Sequence, residues 1–322
     1  MKYIRSIMVV IIGLFLKGSR PRSTAVGSAA EYSGEAADSP ADLTKRGWKA
    51  ALLRTKQALK DKDLSSHAAA LSYYATLTFF PAVLGLATVY TSIAGGQALL
   101  NLLSELELVV PPAIQDLLQT QLAPLANANQ KSLGLATVVS LATVLWTTSG
   151  GLQNLVKALN VAYDAEETRN FVKLRLSSIL LSVVLLIFAA IILVLLVLQG
   201  DALYAWGVPT MVANLFPILR WPLLVIVISL VLAIVYRYAP NRVDPKWSFV
   251  SWGSTAATII WLIGTALFFF YAQNFGNFNK SYGTFAGIIV LMIWFNLSSL
   301  IVLVGAQVNK KLEEVTDADT TA

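Results

Sequence analysis

The chain is 322 residues long, 56% hydrophobic and only 13% charged, with a mean hydropathy of +0.66 and no cysteine. Soluble domains carry about 25% charged residues, so an ordinary soluble protein is excluded; the missing cysteines exclude disulfides, thiolate nucleophiles and cysteine metal sites. The net charge of +6 comes from 24 basic and 18 acidic residues, segregated between long uncharged stretches in the manner of a membrane protein and not of a nucleic-acid-binding one.

Residues 6–16 form an apolar run of eleven behind Lys2 and Arg5. Lys17, Arg20 and Arg22 follow at once, and a basic flank resists translocation, so the run reads as an interfacial anchor or a mis-assigned start before it reads as a cleaved signal peptide. Residues 19–42 are rich in Ser, Ala and Gly without apolar period, which predicts disorder. From 46 to 59, Trp48, Ala51, Leu52, Thr55 and Leu59 recur at helical spacing while Lys49, Lys56 and Lys60 occupy other faces. That pattern predicts a basic amphipathic helix suited to an anionic leaflet.

No Asp, Glu, Lys or Arg occurs in six stretches, 67–95, 133–156, 176–200, 221–236, 247–271 and 281–309. A spanning helix needs about 20 apolar residues, and the shortest stretch reaches this if Arg237 snorkels at its end. The expected fold is therefore all-α: a polytopic bundle of six transmembrane helices, with the amphipathic N-terminal helix on the cytoplasmic side. A second helical segment lies outside, between spans one and two, where Pro111 and Pro112 open a stripe of Ile114, Leu117, Leu118, Leu122 and Leu125 as a partial lid. The domain boundaries expected are 1–45 for the anchor-like segment and linker, 46–312 for the membrane domain, and 313–322 for a disordered tail.

Asp63 or Ser65 caps span one, and His67, the single histidine, stands at its entrance as an interface hydrogen-bonder. Tyr73 and Tyr74 mark its aromatic belt, and Pro81 near its middle should kink it. Span two carries a small and polar patch, Thr147, Thr148, Ser149, Gly150, Gly151, Gln153 and Asn154, followed by Asn160. Such groups are costly against lipid, so the patch is expected to face other helices or a water-filled cavity, as packing or as a pathway surface. Span three is featureless Leu, Ile and Val and should be the most lipid-exposed. Span four is expected to start at Trp221-Pro222 and to end in YRYAPN; span five has a small face, Gly253 to Thr258; span six exits through GAQVNKK with Gln307 and Asn309. A rim of Asp164, Glu166, Arg169, Arg237, Asn241 and His67 lies at one end.

Basic residues decide the orientation. Twelve precede span one, while Lys157, Arg169, Lys173, Arg175, Arg237, Arg242, Lys246, Lys310 and Lys311 share its side; Lys131, Arg220 and Lys280 alone lie opposite. The bias places both termini in the cytoplasm.

The series AAALSYYATLTFFP, LWTTSGGLQNLVKALNVAYDAEETRNFVKLR, YRYAPN and YGTFAGIIVLMIWFNLSSLIVLVGAQVN, in that order over about residues 46 to 312, resembles the YihY/BrkB family of bacterial inner-membrane proteins. The resemblance implies six spans with cytoplasmic termini, a former ribonuclease BN label regarded as a misassignment, and lipid or amphiphile movement suspected in some relatives. Where the family commonly ends in GAELN, this chain has Gln307, which puts any carboxylate-based coupling there in doubt.

Three functions compete. A transporter or flippase for a lipid or other amphiphile would use polar surfaces in spans one, two, five and six, but none of the six stretches holds a carboxylate for a proton relay. A non-catalytic scaffold or envelope-assembly protein would use the same residues as partner and lipid contacts. A ribonuclease would need clustered carboxylates or histidines, and the cluster Asp164, Glu166 and Glu167 beside Arg169 reads as helix capping and ion pairing. The expected partners are membrane lipids and a lipid or amphiphilic substrate, not nucleic acid; no cofactor or metal is implied, and oligomeric state is not legible.

Overall fold

The structure, a computed structural model, describes residues 45–106, 112–126, 130–198, 203–204, 207–242, 247–274 and 284–315. The expected anchor and linker at 1–45 lie outside the described residues except for Lys45, and so does the tail beyond 315. Among the described residues there are nine α-helices, in chain order α1 Lys45–Asp61, α2 Leu64–Ala94, α3 Gly96–Leu106, α4 Pro112–Ala126, α5 Gln130–Tyr163, α6 Phe171–Val197, α7 Thr210–Tyr238, α8 Trp247–Asn274 and α9 Thr284–Val315.

Five of these, α2, α6, α7, α8 and α9, are long and apolar enough to cross a membrane. Among the described residues the measure is met by five helices, against the six spans expected. The helix at the remaining expected span is α5, 34 residues long, which carries the Thr147–Asn154 patch within its run. It lies antiparallel to α2 in the most extensive helix contact among the described residues, with Asp164 at its end bonded to Lys62 and Gly151 against Thr78. Protein covers the side of α5 that carries Gly151, while Val138, Val139 and Trp146 stay exposed on another face.

The C-terminal helix α9 is the hub, packing on α2, α8, α1, α4 and α5. The largest buried apolar cluster sits in the half of the bundle nearest the α9 carboxyl end, where Leu64 and Leu71 of α2, Val156 and Leu159 of α5, Tyr236 of α7 and Leu303 of α9 meet. We call this the basic end. At the other end α4 buries Ile114, Leu117 and Leu122, and Leu122 joins Ala87, Leu99 and Leu103 in a second cluster; the expected stripe forms, and α4 packs on α9 as well as on α2 and α3.

Three expectations are revised. Helix α1 turns Ala51, Thr55 and Ala58 inward, with Ala51 on Val308 and Leu312 of α9, while Leu52 and Leu53 stay exposed; part of its apolar stripe is covered by protein and not by a leaflet. Helix α7 begins at Thr210, eleven residues before the expected start, and holds Pro217 and Pro222 inside it. Each proline lacks one backbone N–H, and neither ends the helix. Helix α9 runs past 312 to Val315, because Glu313 is buried in an ion pair and belongs to the packed end. Helix α6 is the least buried of the five apolar helices, as its composition suggested.

Candidate functional site

The basic end is built on how α5 stops. Asp164 adopts φ 56, the left-handed region in which Asp is among the better tolerated side chains, and the Ala165 N–H reaches back to the Asn160 carbonyl at 2.9 Å. This closure aims the Asp164 carboxylate at Lys62, in the link between α1 and α2, at 2.7 Å. The Lys62 ammonium also donates to the Ala162 carbonyl and to Gln307 Oε1, both at 3.1 Å, so it ties α5 and α9 to that link. Burial lowers its affinity for a proton below that of an ordinary lysine, and the hydrogen bond it donates to Asp164 opposes the shift.

The loop after α5 is pinned as firmly. Asn160 donates to Glu167 at 2.9 Å and accepts from the Asn241 N–H at 2.8 Å. Asn241 in turn donates to the Glu166 carbonyl at 2.7 Å and to the Thr168 hydroxyl at 2.8 Å. Arg169 grips both oxygens of Glu167 at 2.7 Å and donates to the Ala239 carbonyl at 3.0 Å. That guanidinium holds the Glu167 carboxyl below the usual carboxylate range. Asn170 caps α6 by accepting from the Lys173 N–H at 2.8 Å, so Asn170, and not the acidic cluster, starts that helix. A shallow depression of about 400 Å³ opens here, its polar lining supplied by Lys62, Lys157, Asn160, Asp164, Glu166 and Glu167.

Next to the depression α9 carries a buried polar network. Asn309 accepts from the Gly253 N–H at 2.8 Å and donates to the Tyr163 hydroxyl at 3.0 Å. Arg242 donates to both Glu313 oxygens at 2.5 and 2.6 Å and lies 4.2 Å over the Tyr163 ring; the two charged side chains are 0% and 1% exposed. Tyr236 donates to the Val302 carbonyl at 2.8 Å. Gln307 is fully buried, and its Nε2 has no hydrogen-bonding partner, because Lys62 fixes which end of the amide faces it.

The second polar region is the seam between α2 and α5. Thr147, Ser149 and Asn154 satisfy themselves on α5, bonding the carbonyls of Thr143, Trp146 and Gly150. Thr148 Oγ1 and Gln153 Nε2 are buried without partners. A Cβ at Gly151 would meet Thr78 Cγ2 at 2.9 Å, whereas one at Gly150 would meet only Arg175 NH1, at 3.8 Å. The helix facing Gly151 is therefore span one, about a turn before Pro81. Arg175 lies 4.1 Å over the Trp146 ring and donates to the Trp146 carbonyl at 3.0 Å.

Of the residues singled out in the sequence, Asn160, Asp164, Glu166, Arg169, Asn241, Gln307 and Asn309 converge at the basic end. Thr147 to Asn154 and Pro81 belong to the seam. Tyr73 does not join either: it is exposed on the bundle surface with its edge on Tyr74. His67 is half-buried but does not line the depression, and Arg237 lies on α7 with its guanidinium 5.6 Å from the Tyr238 ring. Sequence reasoning passed over Lys62, Lys157, Tyr163, Arg242 and Glu313. Among these, Glu313 in the charged run that ends an apolar helix and the Arg242 that follows YRYAPN were the available signal. Among the described residues no group of three or more His, Asp or Glu could hold a metal ion, and the arrangement is suited to recognition by charge and hydrogen bond.

Residues 55–322 match the family model described as virulence factor BrkB. The chain is 31% identical over 254 residues to YfkH of Bacillus subtilis (strain 168), a protein named as ribonuclease-like, covering 77% of this chain and 90% of that one. It is 30% identical over 185 residues to a UPF0761 membrane protein of Tolumonas auensis, 57% of this chain and 58% of the other, and 40% identical over 81 residues to one of Psychromonas ingrahamii, 25% and 27%. No solved structure matches. The five apolar helices and a match across most of its length make the chain an integral membrane protein that belongs to the BrkB family.

Proposed function

We propose that the chain is a flippase-like transporter of a lipid or other amphiphile in a bacterial inner membrane, with both termini cytoplasmic. The supporting observation is the α2–α5 seam, the most extensive helix contact among the described residues, beside which buried polar atoms of α5 are left unpaired at Thr148 and Gln153, while Gly150 has only the flexible tip of Arg175 near it. Unpaired buried polar groups are expensive in a static core, and a surface that periodically admits a polar headgroup accounts for them. A path between α8 and α9 at the basic end is disfavoured, because Gly253 and Gly305 hold those helices in contact with Asn309, Tyr236 and Ala257.

The test is reconstitution into liposomes carrying a headgroup-labelled phospholipid, with a membrane-impermeant quencher outside. Faster loss of the protected half than in empty liposomes is expected, and Gly150→Leu should abolish it while the variant still folds. A folded chain that moves no lipid supports the second reading, a scaffold, which the closely packed α8–α9 end favours. The ribonuclease reading stands third, with Asp164 and Glu167 already tied to Lys62 and Arg169.

A further inference from the structure

Five charged side chains line the depression at the basic end, and three of them are already committed. Lys62 spends its three protons on Asp164, Ala162 and Gln307, and Glu167 is held by Arg169 and Asn160. That leaves Lys157 on the last turns of α5 and Glu166 on the loop. Both are exposed, and neither has a partner among the described residues; no ion pair joins them, although both face the same depression. One cation and one anion, open and apart, are the complement of a zwitterion. A simple anion would meet the carboxylates of Glu166 and Asp164, and a simple cation would meet Lys157 and Lys62. A molecule carrying both charges satisfies each.

We propose that this depression binds a phosphoethanolamine headgroup, with Glu166 accepting from the ammonium and Lys157 donating to the phosphate. The lipid source follows from the setting, a recess at one end of a membrane-spanning bundle. The ammonium matters as a donor: a quaternary choline nitrogen has no N–H to give Glu166, so the site discriminates between the two common zwitterionic headgroups. Asn160, Asn241 and Arg169 hold the Glu166 loop in place through the bonds already described, which keeps the two charges apart before ligand arrives. The inference rests on the amphiphile reading for the source of its ligand and not for the geometry of the site.

The test titrates the purified full chain with glycerophosphoethanolamine, and in parallel with glycerol 3-phosphate, ethanolamine and glycerophosphocholine, reading heat or thermal shift. Saturable binding of the first alone is expected, and Lys157→Gln and Glu166→Gln should each weaken it about fivefold, the scale of one exposed ion pair. Both positions are exposed, so unchanged melting of the free variants is the control for folding. Equal binding of glycerol 3-phosphate, of ethanolamine or of the choline compound overturns the proposal, as does no binding at all or binding unaffected by both substitutions. Lipid movement is measured separately in liposomes. If lipid moves but the headgroup probe does not bind, this inference falls alone; if the probe binds but no lipid moves, the transporter reading falls and the site stands.

Discussion

The basic end and the α2–α5 seam are both polar interiors in a membrane protein, and they are put together in opposite ways. At the basic end most polar groups have partners from a different helix: Asn309 reaches α8 and α5, Arg242 reaches α9, and Asn160 reaches the loop before α8. In the seam the hydroxyls and amides that are satisfied bond to their own helix, and those that are not, Thr148 and Gln153, are buried without a hydrogen-bond partner. Bonds between helices fix the distance between elements, whereas bonds to the preceding turn leave the two helices free to part. One region is therefore a joint tied across helices, and in the other the polar side chains of α5 make no bond to α2.

The sharpest way to break this contrast is to remove one half of the buried Arg242–Glu313 pair. Glu313→Gln leaves a guanidinium in a site with no water access, which costs about 3–5 kcal/mol. A fall in melting temperature, larger than for any seam variant, is expected in detergent-solubilised protein. Next in size is Gly253→Ala. A Cβ there would stand 2.0 Å from Asn309 Oδ1, so Asn309 must leave both its partners, at a cost of about 1–3 kcal/mol. Thermal melting measures this too, and a neutral result would show that the joint is looser than its geometry.

The seam variants should be milder and of both signs. Gly151→Ala presses on the Thr78 methyl at 2.9 Å and should cost about 1 kcal/mol, the low end for overpacking. Gly150→Ala has only the flexible tip of Arg175 near it, at 3.8 Å, and should stabilise by about 0.5–1 kcal/mol as a glycine leaves a helix interior. If both substitutions destabilise alike, the seam is packed as tightly as the joint, and the contrast between the two regions fails.

The sequence told much about the fold, because uncharged stretches and proline positions act locally. The helices of α2, α6, α8 and α9 lie where those stretches predicted, and the stripe from Ile114 to Leu125 became α4. Misreadings came where a distant partner decides the outcome. Thr147 to Asn154 reads as a patch that faces other helices, but which helix lies against Gly151 becomes known only from Thr78 of α2. Glu313 reads as tail until Arg242, 71 positions away, is found against it. Lys62 looks like one more basic residue of the N-terminal segment, and nothing nearby in the chain says that it will reach Asp164 and Gln307, 102 and 245 positions on. Local pattern cannot report such long-range pairs.

The smallest expected effect concerns the loop that links joint and depression. Glu167 is half shielded, and the Arg169 guanidinium keeps its carboxyl below the ordinary value of 4.5. The unfolded chain, in which the pair is absent, then binds this proton more readily than the folded one, so stability is present above that ordinary value and is lost as pH falls through the lower folded value. A partly exposed bidentate pair contributes about 0.5–1 kcal/mol. Melting of the wild type should exceed that of Glu167→Gln at pH near 6 by the corresponding small margin, and the two curves should converge once the pH lies below the folded value. Glutamine retains an acceptor for Asn160 and removes only the charge, so the comparison isolates the ion pair with Arg169. A margin that stays constant down to acid would mean that Glu167 holds the loop by hydrogen bonding and shape alone, and that the depression keeps its form whatever the charge on its wall.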